Sequence, residues 1–202
     1  MQEFHYDSDM IGGSLMVRES RIVAGLLMDG VSKEGWHEAI VSNNLLQKRT
    51  AASAKRNATA IRKRLELLTP DFWRALRDGD EELATQVALC GALERNLLLV
   101  EFMETALKDA YLSRAELLDG FAWADFLADR AHRDATIHSW ADSSKKKMGQ
   151  VAYRILAEAG YLSSTRGMKL QRVQVRPELR VMLEDHYKHR VRNCLEVSVW
   201  NK

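Results

Sequence analysis

The residues best equipped for chemistry lie at 143–172, SSKKKMGQVAYRILAEAGYLSSTRGMKLQR. Lys145, Lys146 and Lys147 open an amphipathic run, and Gln150, Tyr153 and Arg154 continue its polar side. Arg166, Lys169 and Arg172 follow in a segment that can fold back on itself. Cationic donors at a helix start, with an amide and a guanidinium one turn further on, suit phosphate oxygens and base edges. The bland alternative is a solvated basic helix face behind an ordinary hairpin. Three consecutive lysines cannot share one helix face, so at least one supplies only general charge.

A second basic stretch runs from Leu45 to Leu65, with seven cations (Lys48, Arg49, Lys55, Arg56, Arg62, Lys63, Arg64) and no acid. A solvated helix face again competes with an anionic partner, and the acidic middle of the chain is a third explanation, as an internal counter-surface. That middle, Asp78 to Asp129, holds twelve acids against three bases, and Lys145–Arg176 holds eight bases against Glu158 alone. The net charge of +2 conceals this segregation, which builds local fields that a total count misses.

Enzymatic signals are thin. The sequence contains no P-loop, GxGxxG, GxSxG or HExxH pattern. His186, His189 and Cys194 could be imagined as a metal cluster, but they lack a fourth ligand, and surface histidines are the simpler account. The acids Asp80-Glu81-Glu82 suit a helix N-terminus. Cys90 lies in an apolar helix and reads as core. Trp36, Trp73, Trp123 and Trp140 fall on apolar helix faces, while Trp200 has no clear role. No catalytic residue, cofactor or metal is expected.

These residues need helices to position them. Two prolines and eleven glycines in 202 residues leave room for long helices, and 46% hydrophobic with 29% charged residues is globular. Residues 1–13 lack periodicity and predict a flexible lead. A helix from about Ser14 stops at Asp29-Gly30; a second opens at Ser32 and ends at Asn43-Asn44; a third, basic helix spans roughly Thr50–Leu68, with Ala52, Ala60, Ile61, Leu65 and Leu68 among its apolar positions. These have helix-turn-helix proportions. Thr69-Pro70 caps a short helix, and Glu81–Leu112 predicts one or two long ones.

A boundary near residues 118–120 separates a helical domain (14–118) from a winged-helix-like domain (119–202). In the latter, Met148, Val151, Ala152, Ile155, Leu156 and Ala159 form one apolar stripe, capped by Asp142, Ser143 or Ser144 and closed by Gly160. Tyr161-Leu162 and Leu170, Val173 and Val175 predict the strands of a small β-hairpin around Thr165-Arg166-Gly167, and Pro177 opens a last helix. The acidic N-terminus (Glu3, Asp7, Asp9) is not a signal peptide; no apolar run approaches the roughly 20 residues of a bilayer span; two cysteines suit a reduced, cytoplasmic setting.

Four segments together carry a resemblance: YDSDMIGGSLMVRESRIVAGLL, NNLLQKRTAASAKRNATAIRKRLELL, VEFMETALKDAYL and W-x2-SSKKKMGQVAYRILAEAGYL. In order and spacing, from about residue 11 to 185, the chain resembles the BrxA family (DUF1819) of bacterial BREX phage-defence systems. The resemblance implies a helical protein with winged-helix character that binds double-stranded DNA with little sequence preference, an accessory to other BREX components without catalysis of its own. The family has also been likened to NusB-type RNA-binding antiterminators and has carried an inner-membrane label, which the absence of a spanning segment does not support. The matched basic positions run from Lys48 to Arg64 and from Ser144 to Tyr161. An RNA-binding module ranks lower, since only Tyr153 and Tyr161 are placed to stack on bases. A protein-interaction scaffold, its acidic middle docking a basic partner, is the third reading.

Overall fold

The computed structural model describes residues 5–7, 10 and 13–199. Glu3, Asp9 and Trp200, weighed above, lie outside the described residues. The chain is mainly helical: α1 (Val17–Met28), α2 (Lys33–His37) running into a π turn (Glu38–Ser42), α3 (Ala51–Leu65), α4 (Pro70–Asp78), α5 (Glu81–Arg95), α6 (Leu97–Phe102), a π turn (Met103–Leu107), α7 (Lys108–Leu112), α8 (Ala122–Arg130), a 3-10 turn (Ala135–Ser139), α9 (Asp142–Glu158), α10 (Pro177–Asp185) and α11 (His189–Leu195).

Local chemistry sets most boundaries. The side chains of Ser32, Thr50, Asp80 and Asn96 each accept the N–H three residues on, opening α2, α3, α5 and α6. Asn96 also marks a 109° bend between α5 and the helical run that follows it. That bent pair is the core of the protein: Leu83 to Leu93 is almost wholly buried, and Leu98, Leu99, Phe102, Met103 and Leu107 continue it. No single helix among the described residues is long and apolar enough to cross a membrane.

Around the pair, α1, α3, α4, α10 and α11 pack on α5, while α8 and α11 reach the π turn at Met103–Leu107. One apolar cluster runs from Tyr6 to Val197. Inside it Glu101 accepts the Tyr6 hydroxyl at 2.7 Å and the Arg130 and Arg133 guanidinium groups at 3.0 Å each. Asp134, also buried, accepts the Tyr6 N–H, the Thr136 N–H and the Thr136 hydroxyl. A buried charge is tolerable only with such saturation.

Several expectations need correction. The first helix begins at Val17, because Met16 sits in the left-handed region at φ 53°. Thr69 holds the N-cap position of α4 with Pro70 in the first turn, as expected, but its side chain makes no capping hydrogen bond; the hydroxyl is diverted to His186 Nε2 at 3.2 Å. In α3 the buried row is Ala54, Ala58, Ile61 and Leu65, and Ala52 faces solvent. The small β-hairpin is absent: the described residues contain no strand, only isolated antiparallel bridges Leu162–Leu170 and Leu117–Lys169. The return segment divides its pairing between two neighbours. The Gln171 N–H donates to the Tyr161 carbonyl, whereas the Leu170 N–H donates to that of Glu116. Met168, left-handed at φ 51°, interrupts the segment before either ladder can grow.

Candidate nucleic-acid interface

The apolar stripe of α9 is buried as its spacing requires, and it fixes which side chains look outward. None of Asp142, Ser143 and Ser144 caps the helix; it begins at Asp142, and Asp142 pairs with Lys145 at 3.6 Å instead. Its C-terminus closes at Gly160, φ 83°, where the Tyr161 N–H reaches the Leu156 carbonyl at 2.8 Å and the Gly160 N–H that of Ala157 at 3.2 Å. Only a residue free of Cβ strain takes that left-handed turn readily.

With that register, Lys146, Lys147, Gln150 and Arg154 are exposed on one arc, and none of the three cations has an ion-pair partner among the described residues. Lys145 sits at the edge of the arc, half-buried, and its carbonyl accepts the Trp123 indole N–H at 3.1 Å. Tyr153 is a packing residue: its hydroxyl accepts the Trp123 N–H at 3.0 Å and its ring meets Phe102 edge-on. Tyr161 is fully buried and donates its hydroxyl to the Leu195 carbonyl at 2.6 Å, so it presents no stacking surface. Gly149, beside Gln150 in the same helix, is buried against Trp123.

Beyond α9, Arg166 and Lys169 are exposed on the irregular 163–172 loop. Arg172 is exposed too, but it shares a cleft with Glu81, Glu82 and Glu158, which offsets its charge.

The second basic stretch divides in two. Arg64 is buried and donates to the Ser14 and Gly13 carbonyls at 2.8 and 3.2 Å. Lys48 pairs at 2.7 Å with Glu19; burial alone would raise that carboxyl, yet the lysine contact and a backbone hydrogen bond hold it below its ordinary range. Arg62 pairs with Glu66 at 2.6 Å and lies over the Trp36 ring at 4.8 Å. The other four, Arg49, Lys55, Arg56 and Lys63, are exposed and make no ion pair among the described residues. The acidic middle does not neutralise them. Its carboxylates pair elsewhere: Asp80 with Arg176 at 2.6 Å, Glu94 with Lys188 at 2.9 Å, and Glu104 with Arg190 at 2.6 Å.

The imagined metal trio does not converge. His186 is engaged by Thr69 and Phe72, Cys194 is buried near the Val100 carbonyl, and no three candidate ligands gather anywhere among the described residues. Burial also pushes the Cys194 thiol up to about 12 and the Cys90 thiol higher still, which suppresses both as nucleophiles.

A family model described as BrxA matches residues 4–187. The chain belongs to the BrxA family. A relative from Paramagnetospirillum magneticum, named BREX protein BrxA, is 34% identical over 98% of this chain and 100% of its own length. Another of the same name, from Escherichia coli O9:H4, is 34% identical over 87% of this chain and 83% of its own. A BrxA relative from Bacillus cereus is 27% identical over 92% of each. The crystal structure of an uncharacterized protein from Magnetospirillum magneticum superposes with a TM-score of 0.86 at 34% identity, covering 96% of this chain and 99% of that one. The BrxA fold of this chain therefore accounts for nearly its full length.

Proposed function

We propose that this protein serves BREX defence by binding double-stranded DNA with little sequence preference, without catalysis of its own. One observation carries the reading: Lys146, Lys147 and Arg154 stand unpaired beside Gln150 on the exposed arc of α9, which is ordered by a fully buried opposite face. Free cations on a rigid helix release condensed counterions when they meet phosphate, and that term dominates sequence-independent affinity. Arg166 and Lys169 extend the surface onto the adjoining loop, and Arg49, Lys55, Arg56 and Lys63 supply a second cationic face on α3. The names of the relatives support the BREX assignment. The burial of Tyr161 and the engagement of Tyr153 disfavour single-stranded RNA, which depends on aromatic stacking.

A salt titration of duplex binding by fluorescence anisotropy tests the proposal. Neutralising about six phosphates gives a slope of about −5 in log K against log salt. A flat dependence, no binding at low salt, or clear preference for structured RNA in competition would each overturn it.

A further inference from the structure

Between α8 and α9 lies an apolar groove of about 830 Å³, walled by both helices along their lengths. Tyr153 meets the start of α8 at Trp123, and Asp142, at the start of α9, lines the same groove as Ala131 and His132. Its lining on α9 runs from Asp142 to Tyr153, about three helical turns and on the order of 15 Å. Its lining includes Ala124 and Ala128, both solvent-exposed, and Phe121, with 74% of its surface in water. An exposed phenylalanine beside an open apolar trough is costly unless something covers it.

The rim identifies the occupant. Lys145, Lys146, His132 and His138 line the groove, against one lining carboxylate, Asp142, already engaged by Lys145. An elongated apolar floor matches the stripe of an amphipathic helix, and a cationic rim selects acidic flanks on that helix. We propose that this groove receives an acidic amphipathic helix of a partner protein, which completes a three-helix packing with α8 and α9. Because Lys145 and Lys146 border both surfaces, the partner competes with duplex DNA for α9; that corollary alone rests on the DNA-binding reading.

The test uses the full chain and a fluorescein-labelled synthetic helix of about four turns, with Leu and Phe along one face and Glu on both flanks. A charge-reversed twin carries Lys in place of Glu. The acidic helix should bind saturably and at least about tenfold more tightly than its twin. Ala128→Trp, which fills the floor at an exposed position, and Ala124→Glu, which adds a repulsive charge, should each weaken it at least about tenfold. Both variants should keep the wild-type circular dichroism spectrum, and the uncharged Ala128→Trp should keep the wild-type duplex affinity, so the groove is tested independently of DNA. Equal binding of the two helices, no binding, or indifference to both substitutions would overturn the proposal. So would self-association abolished by Ala128→Trp, which assigns the groove to a second copy, or an anilinonaphthalene sulfonate probe that the helix fails to displace.

Discussion

The carboxylate of Glu158 accepts the backbone N–H of Leu15 at 2.8 Å, joining the last turn of α9 to the segment that precedes α1. Arg64, in the last turn of α3, holds the carbonyls of Ser14 and Gly13 immediately upstream. The two basic helices are thus tied at their C-terminal ends to one short strap, residues 13–15. Charge alone does not separate the cations that build this strap from those available to a ligand; burial does.

That division predicts opposite behaviour for neighbours. Arg64→Ala strands two carbonyls and removes a buried guanidinium, which should cost about 2–3 kcal/mol in urea unfolding. Lys63→Ala, one position away but exposed, should change stability by less than about 0.5 kcal/mol and weaken duplex binding. Equal stability losses in the two variants would refute the assignment.

What the sequence made legible followed from periodicity. The stripe from Met148 to Ala159 and the glycine stop at Gly160 are local consequences of residue spacing, and both appear as expected. The hairpin was illegible because Leu170 pairs partly with Glu116, some fifty positions upstream, and alternation within one segment carries no trace of that partner. That the Thr69 side chain leaves the first turn of α4 uncapped was illegible for the same reason, since His186 engages its hydroxyl from 117 positions away. The exposed arc of α9 was readable, but spacing could not reveal that Tyr153, Tyr161 and Gly149 are committed to packing.

Acid should loosen the clamp on Tyr6. Burial of Asp134 opposes its ionisation, but hydrogen bonds from Thr136, the Tyr6 N–H and His5 outweigh that and hold its carboxyl well below the ordinary range. A carboxyl lowered in the folded state contributes stability that is complete above its unfolded value, about 4, and is lost as pH falls through the folded one. The urea midpoint should therefore drop as pH is lowered beneath about 4, and Asp134→Asn should flatten that drop while lowering stability at pH 7. An unchanged slope in the variant would exclude Asp134 as the titrating group.

A methyl group at Gly149 should separate the helices that form the groove. Its Cβ would stand 2.6 Å from Trp123 Cδ1, and the indole cannot yield easily because its N–H is bonded to the Lys145 carbonyl. Gly149→Ala should cost about 1–3 kcal/mol through overpacking, despite its better helix propensity. Gly25→Ala in α1 is the control: its Cβ would meet nothing nearer than Arg77 Cδ at 3.7 Å, so the same change should stabilise by about 0.4–1 kcal/mol. Thermal or urea unfolding of both variants reads the predicted difference in sign.

Removing the free charges on α9 should alter binding without altering fold. Lys146, Lys147 and Arg154 are exposed and unpaired, so a triple alanine variant should keep the wild-type unfolding midpoint within about 0.5 kcal/mol. Each lost phosphate contact shallows the salt dependence by about 0.9, so the variant should reduce the slope by about 2–3 and weaken unrelated duplexes alike. Gln150→Ala discriminates backbone gripping from base reading: an amide that touched base edges would make the loss sequence-dependent, whereas a uniform, small loss fits a helix held against phosphate. Full retention of binding by the triple variant would move the interface to α3, where Arg49, Lys55, Arg56 and Lys63 are the next residues to replace.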